Sequence, residues 1–256
     1  VEDKMEDSLD DRRFGGVARL YGLELREHFR HATVVVAGLG GVGSWAAEAL
    51  ARSAIGHLVL IDFDHIAESN TNRQLHALEG QYGKAKVQAM SERIQQINPD
   101  IQSAVCDTFL EPENLDILIP QDALVLDATD SVQTKIALSV WTTKNHRALV
   151  MCGAAGGKSD PTSVRCDDLS RTEQDALLAK VRQGLRQDHG FSRNLKKKMG
   201  VRAIYSQEPR AGASSGGLAC SGYGSTVMVT AACGLAAAAE ILNLIAIPPL
   251  SDALQK

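Results

Sequence analysis

Residues 38–43 read GLGGVG and decide the fold of this chain. The stretch follows the apolar run TVVVA at 33–37 and precedes a segment, from about residue 42, whose pattern predicts a helix. The next apolar run, HLVLID at 57–62, ends in an aspartate. A G-x-G-x-x-G turn between a strand and a helix directs backbone N–H groups at a phosphate, and an acidic residue ending the next strand can hold the ribose. The sequence therefore predicts a βαβ unit that binds a dinucleotide or ATP through these residues: Gly38, Gly40, Gly41, Gly43 and Asp62.

Short apolar runs continue to alternate with helix-length segments beyond this unit. Further strands are predicted at 101–106, 123–128 and 148–153, and a helix at 84–98. Strands separated by helices in this way build parallel sheets, because each crossover carries a helix back over the sheet. The first half therefore predicts an α/β fold with a doubly wound, mainly parallel Rossmann-like sheet.

The second half has a weaker periodicity. Strands are predicted at 163–168 and 201–206, with a helix between them at 172–187. A crossover loop rich in glycine and serine follows at 207–222, and a long apolar helix at 226–247. The apolar helix contains Glu240 and leads into two prolines, so we interpret it as a buried helix in a C-terminal extension rather than as a membrane span. We predict one adenylating domain over 1–256, with a nucleotide-binding half at about 30–152 and a substrate-side half at about 153–256.

Composition excludes several classes of protein. The 256 residues are 44% hydrophobic and 23% charged with a net charge of −4, which is typical of a globular protein and not of a basic nucleic-acid coat protein. The five cysteines include no CxxC pair, so neither a disulfide framework nor a thiolate zinc site is expected. The acidic start lacks the pattern of an export signal. We therefore expect a cytoplasmic protein without zinc and without membrane association.

A group of charged residues argues against hydride transfer. Cleavage of ATP needs cations on the phosphates and a carboxylate for Mg²⁺, because such catalysis is mostly positioning and charge neutralisation. The segments after Asp62 supply these groups in Arg73 and Lys86, and Asp130 follows a predicted strand at the edge where ligands of doubly wound sheets collect. We predict that these three residues act in catalysis and that Asp130 holds Mg²⁺.

These residues lie in motifs that resemble one family. The motifs are GLGGVG at 38–43, LIDFD at 60–64, SNTNRQ at 69–74, GKAKV at 83–87, INP at 97–99 and DATD at 127–130. Together they resemble the adenylating domain of the ubiquitin-activating enzyme superfamily, of the HesA/MoeB/ThiF type, which activates carboxylates as acyl-adenylates. The resemblance implies that ATP and Mg²⁺ are bound, with Asp62 on the ribose, Asp64 beside it, Asn70, Arg73 and Lys86 on the phosphates, and Asp130 on the metal. It also implies a homodimer in which an N-terminal arginine, Arg13 or Arg19, reaches the partner subunit's ATP.

Further motifs favour one branch of this superfamily. They are RFGGVARLYG at 13–22, GVGSWAAEALARS at 41–53, NTNRQLHAL at 70–78, GAAGGKSDPT at 153–162 and CSGYGS at 220–225. They resemble the tRNA threonylcarbamoyladenosine dehydratases, and the missing CxxC pairs count against the activators of sulfur-carrier proteins. The resemblance implies ATP-dependent cyclisation of N6-threonylcarbamoyladenosine in the anticodon loop of tRNA, and it suggests a cysteine desulfurase or sulfur-acceptor partner. The stretch from Glu208 to Cys220 is shorter than in that family.

Two features of the second half bear on the substrate. Cys220 precedes the last helix in a glycine-rich loop, which suits either an acyl-accepting thiolate in catalysis or a small buried residue. Between Lys180 and Arg202 there are eight basic residues against one acid, which predicts a local positive surface for tRNA phosphates.

Three alternative functions remain open from the sequence. An activator of a small ubiquitin-like carrier protein would share the ATP site but require that protein's C-terminus. A nicotinamide-dependent oxidoreductase would share the glycine turn but leave Arg73, Lys86 and Asp130 unexplained. A pure interaction protein would have no use for the phosphate-binding set.

Overall fold

The fold is built on one seven-stranded sheet. A computed structural model describes residues 9–194, 197–209 and 223–246, with side chains from Arg12 onward. The strands lie in the order β3-β2-β1-β4-β5-β7-β6, with these bounds: β1 Thr33–Ala37, β2 His57–Ile61, β3 Gln102–Cys106, β4 Leu124–Asp127, β5 Leu149–Cys152, β6 Val164–Asp168 and β7 Arg202–Ser206. Every pairing is parallel except that of β6 with β7. The predicted doubly wound, mainly parallel sheet is confirmed, with an antiparallel strand at one edge.

Helices cover both faces of the sheet. Their bounds are α1 Leu9–Tyr21, α2 Leu23–His31, α3 Gly43–Arg52, α4 Lys86–Ile97, α5 Leu115–Leu118, α6 Val132–Lys144, α7 Ala176–Asp188 and α8 Val227–Ala246. Side chains of α2, α3, α4 and α8 form one core with alternate residues of the strands, and α5, α6 and α7 form a second core on the opposite face. Because successive strand residues point to opposite faces, Val34 and Val36 enter the first core and Val35 enters the second.

Helix α8 is the buried helix that the sequence predicts. Its length and apolar composition would suffice to cross a membrane. In this fold it packs on α3 and on the sheet, and it places Val229, Cys233 and Ile241 in the first core. Its acidic residue, Glu240, accepts a 2.6 Å hydrogen bond from Arg202 Nε on β7. Most of the predicted crossover loop lies outside the described residues.

The helix predicted at 172–187 begins later than expected, at Ala176. The reason is local: the Asp175 carboxylate accepts a 2.9 Å hydrogen bond from the Leu178 N–H and so caps the first turn. The second Asp175 oxygen accepts from the Ala154 N–H at 2.8 Å. One buried carboxylate therefore fixes both the start of α7 and the glycine-rich loop after β5.

The basic segment is divided between fold and surface. Arg182 donates to the Thr172 hydroxyl, Arg186 donates to the Ser192 carbonyl, and Arg202 pairs with Glu240. The exposed basic residues of the segment in the described part are Lys180, Arg193, Lys197 and Lys198. Lys196 lies outside the described residues. Because three of the seven described basic residues are held by these hydrogen bonds, they contribute less to the positive surface than the sequence predicted.

Asp168 ties the end of the basic segment to the sheet. It is buried and accepts hydrogen bonds of 2.8 to 2.9 Å from the N–H groups of Ser170, Met199 and Gly200. Burial raises the pKa of Asp168, but the hydrogen bonds from Ser170, Met199 and Gly200 together have the larger effect, so the pKa lies below its ordinary value.

We expect Asp168→Asn to lower the free energy of unfolding by about 2 kcal/mol at pH 7, because an amide nitrogen would then face a buried N–H donor. An aspartate with a lowered pKa stabilises the fold above the pKa of the unfolded chain, and this stabilisation is lost as pH falls through the lower folded value. The difference between variant and parent in urea unfolding should therefore stay constant from pH 8 to 5 and shrink below about pH 4. The exposed Asp122→Asn serves as control, and an equal loss in both variants would contradict the assignment.

Candidate active site

A pocket opens at the carboxyl edge of the sheet, beside the turns that follow β1, β2, β4 and β5. Parallel strands end at the same edge, which is where doubly wound sheets bind ligands. The pocket combines backbone of the glycine turn with acidic, basic and apolar side chains. Its lining includes Gly38, Gly40, Gly41, Asp62, Phe63, Asp64, Arg73, Phe109, Thr129, Asp130 and Gly153.

The glycine turn is held by close backbone packing. A Cβ at Gly43 would lie 1.8 Å from the Gly38 carbonyl oxygen, and Gly38 itself has a φ of +83°. A Cβ at Gly38 would lie 3.0 Å from the Ala128 carbonyl. Gly43 is buried and does not line the pocket, so its role is to let α3 approach the turn, as in other Rossmann-like turns.

Asp62 is oriented by two backbone donors. The Leu39 N–H donates to one carboxylate oxygen at 2.6 Å and the Asp64 N–H to the other at 2.8 Å. Burial raises the pKa of Asp62 above its ordinary value, although these hydrogen bonds and the nearby Lys86 ammonium act in the opposite direction. The carboxylate faces the pocket with its position fixed, which suits an acceptor for ribose hydroxyls.

Arg73 lines the pocket beside the glycine turn. Its Nη1 donates at 2.9 Å to both the Ser69 carbonyl and the Asn72 side chain, and its own carbonyl accepts a 3.0 Å hydrogen bond from Trp45 Nε1 on α3. A Cβ at Gly41 would lie 3.1 Å from Arg73 Cγ, so the glycine turn leaves room for the arginine stem. The Trp45 hydrogen bond fixes the Arg73 backbone and the other two orient its guanidinium, which suits contact with a phosphate.

Lys86 and Asn70 lie behind the pocket rather than on its lining. Lys86 is the first residue of α4 and is 4% exposed, and its Nζ donates at 2.7 Å to the Asp64 carboxylate, which does line the pocket. The buried Asn70 side chain accepts a 3.0 Å hydrogen bond from the Ala67 N–H and so closes the loop that carries Arg73. To contact a phosphate, the Lys86 ammonium would have to break its hydrogen bond to Asp64 or bind Asp64 and the phosphate together.

Asp130 is exposed in the pocket, on the turn that joins β4 to α6. Ser131 caps α6 by accepting a 3.2 Å hydrogen bond from the Thr134 N–H. In the described part of the chain no group of three His, Cys, Asp or Glu side chains could hold a metal ion. A single carboxylate fits Mg²⁺ nevertheless, because that ion is commonly held by one or two carboxylates together with substrate phosphates and water.

Some predicted site residues are not brought to this pocket. Arg13 and Arg19 lie exposed on α1 and do not line the pocket of their own chain. Cys220 falls outside the described residues. Cys233 on α8 is buried in the first core, where burial raises the pKa of its thiol to about 12.

The sequence analysis did not single out the aromatic side of the pocket. Phe63 and Phe109 stack on each other with ring planes 28° apart, and each is partly exposed at the pocket mouth. Phe63 lies next to Asp62, within a quoted motif, but Phe109 follows β3 in a loop without a recognisable pattern. The only signal for Phe109 was an aromatic residue just after a strand in a chain with 4% aromatic residues.

A family model described as the ThiF family matches residues 15–254. The chain belongs to the ThiF family. It is similar to a tRNA threonylcarbamoyladenosine dehydratase of Escherichia coli (strain K12), with 43% identity over 248 residues that cover 91% of this chain and 92% of that protein. The crystal structure of that Escherichia coli dehydratase in complex with ATP matches with a TM-score of 0.86 and 42% identity over 96% of this chain and 97% of that one.

The chain is less similar to relatives with another named activity. A molybdopterin-synthase adenylyltransferase of Haemophilus influenzae is 28% identical over 169 residues, which cover 62% of this chain and 69% of that protein. The similarity to the dehydratase therefore extends through the second half of the chain, where substrate-side residues were predicted.

Proposed function

We propose that this protein is an ATP-dependent tRNA threonylcarbamoyladenosine dehydratase. The observation that carries the proposal is the meeting of Arg73 and Asp130 with the glycine turn and Asp62 in one pocket. A hydride-transfer enzyme or a pure interaction protein would not need that set. Similarity to the Escherichia coli dehydratase along nearly the whole chain supports the choice of substrate.

The pocket suggests how ATP is held. The glycine turn would bind the phosphates, and Asp62 would bind the ribose. The Phe63 and Phe109 rings at the pocket mouth would contact the base. Arg73 would neutralise phosphate charge, with Lys86 assisting through Asp64. Mg²⁺, held by Asp130, would supply further charge neutralisation on the departing pyrophosphate.

The reaction then needs two displacements. A carboxylate oxygen of the threonylcarbamoyl group attacks the α-phosphorus, and pyrophosphate leaves. A nitrogen or oxygen of the neighbouring carbamoyl group attacks the activated carbonyl carbon, a carbamoyl N–H gives up its proton, and AMP leaves with the former carboxylate oxygen. The ring closes with net loss of water. The protein's part is charge neutralisation and orientation of two groups of one substrate.

We further propose a cytoplasmic homodimer that handles tRNA. Arg13 and Arg19 are exposed on α1, which leaves either of them able to reach a partner subunit's ATP. The exposed basic residues at 180–198 would contribute phosphate contacts to tRNA. A cysteine desulfurase or sulfur-acceptor system remains a proposed partner on the family resemblance, and adenylation of a carrier-protein C-terminus remains the alternative activity.

The test is to incubate the protein with MgATP and tRNA that carries threonylcarbamoyladenosine, then to digest the tRNA, measure nucleoside masses and follow AMP. We expect the modified nucleoside to lose the mass of one water, with AMP formed only when the modified tRNA is present. Unmodified tRNA is the control. No mass change, together with pyrophosphate exchange provoked by a carrier-protein C-terminus, would favour the alternative.

A further inference from the structure

A lysine and an aspartate lie completely buried behind the pocket. Asp127 ends β4 and Lys135 lies in the first part of α6; both side chains are 0% exposed, and Lys135 Nζ is 3.1 Å from Asp127 Oδ2. Neither of these two atoms has a hydrogen bond to another described group. An ion pair in an apolar core is costly to form, so its presence behind a functional turn calls for a reason.

The second oxygen of Asp127 shapes the turn that carries Asp130. Asp127 Oδ1 accepts hydrogen bonds from the Thr129 N–H at 3.0 Å and from the Thr129 hydroxyl at 2.7 Å. The Ala128 N–H donates to the Ala37 carbonyl at 2.8 Å, and this part of the turn packs directly against Gly38. The turn is therefore fixed between the glycine turn on one side and the Asp127 carboxylate on the other.

We propose that Lys135 is a positioning residue for Mg·ATP: its ammonium keeps Asp127 ionised in the core, and Asp127 then holds the 127–131 turn so that Asp130 faces the bound nucleotide. This inference rests on the proposed function only in taking Mg·ATP as the ligand. Lys135 itself does not line the pocket and is not a catalytic residue.

The physical reason is the cost of a lone buried charge. Without the Lys135 ammonium, the Asp127 carboxylate would be a fully buried charge with no compensating cation beside it, and burial then disfavours its ionised form. A protonated carboxyl accepts hydrogen bonds weakly, so Thr129 would lose its anchor and Asp130 its orientation. Among the described titratable groups, the Cys152 thiol on β5 interacts with both members of the pair, and burial raises the pKa of that thiol.

The test is Mg·ATP affinity as a function of pH, measured by calorimetry on the full chain without tRNA. We expect Lys135→Met to bind Mg·ATP at least tenfold more weakly at pH 6 than at pH 9, a dependence that the parent lacks. Lys135→Arg should restore parent-like binding. Affinity for ATP in EDTA should change less than threefold, because Asp130 acts through the metal. Lys144→Met, on the exposed end of the same helix, is the matched control.

A double variant separates this role from a merely structural one. In the double variant Asp127→Asn/Lys135→Met, the side chain at residue 127 cannot titrate. The pH dependence of Mg·ATP affinity should therefore disappear, and the melting temperature should be higher than that of Lys135→Met alone. The double variant keeps the proposal testable even if Lys135→Met folds poorly. A pH dependence that persists in the double variant, or single variants that bind Mg·ATP like the parent at every pH, would overturn the proposal and leave the proposed tRNA activity untouched.

Discussion

Arg73→Ala is expected to lower tRNA-dependent AMP formation by about 10³-fold while leaving the thermal stability of the protein unchanged. Arg73 is the cation that the structure places on the pocket lining next to the glycine turn. Its hydrogen bonds to Ser69 and Asn72 fix the guanidinium before any ligand arrives, so it can stabilise charge on the phosphates without reorganisation. Initial rates with saturating MgATP and modified tRNA give the effect on kcat.

The matched control is Arg147→Ala, an exposed arginine in the turn that precedes β5, at the opposite edge of the sheet. It should keep the parent rate. Arg73→Lys should recover only part of the activity, because an ammonium lacks the planar fork that binds a phosphate through two hydrogen bonds. Retention of more than a tenth of the rate in Arg73→Ala would show that the phosphate-binding cation lies elsewhere.

Those parts of the site that depend on local sequence patterns could be predicted from the sequence. The glycine turn, Asp62 and Asp130 each lie within a few residues of a strand end, and a parallel sheet brings strand ends together. Their meeting in one pocket therefore follows from the order of the elements. The burial of the apolar helix α8 within the protein could also be predicted, because it contains the charged residue Glu240.

What could not be predicted depends on packing between distant elements. Lys86 reads as a surface charge or a phosphate ligand, and only the docking of α4 shows that it is buried against Asp64. Nothing in the sequence indicates that Lys135 is buried, since a lysine within a helix is usually exposed. The extent of the basic surface was overestimated for the same reason, because Arg202 pairs with Glu240, which is 38 residues away in sequence.

Gly43→Ala is expected to lower the free energy of unfolding by roughly 3 kcal/mol and to weaken ATP binding by about 100-fold. The added methyl group would lie 1.8 Å from the Gly38 carbonyl oxygen and 3.2 Å from the Ala128 Cβ. The first of these contacts is with backbone, so no side chain can rotate away to relieve it. Either α3 or the glycine turn must move, and both hold the N–H groups proposed to face the phosphates. Urea unfolding and calorimetric titration with ATP measure the two effects.

Two other glycines separate the causes of this effect. At Gly16 on α1 a Cβ would meet only the end of the Arg19 side chain, at 3.9 Å, so Gly16→Ala should leave both quantities unchanged or slightly improve stability. At Gly40 the nearest atom to a new Cβ is Gln74 Nε2, also at 3.9 Å, yet Gly40 lines the pocket. Gly40→Ala should therefore fold like the parent and lose ATP affinity only if the ligand approaches that backbone. Loss of affinity in Gly43→Ala together with full stability would mean that the turn binds ATP by direct contact at residue 43 and not through its packing against α3.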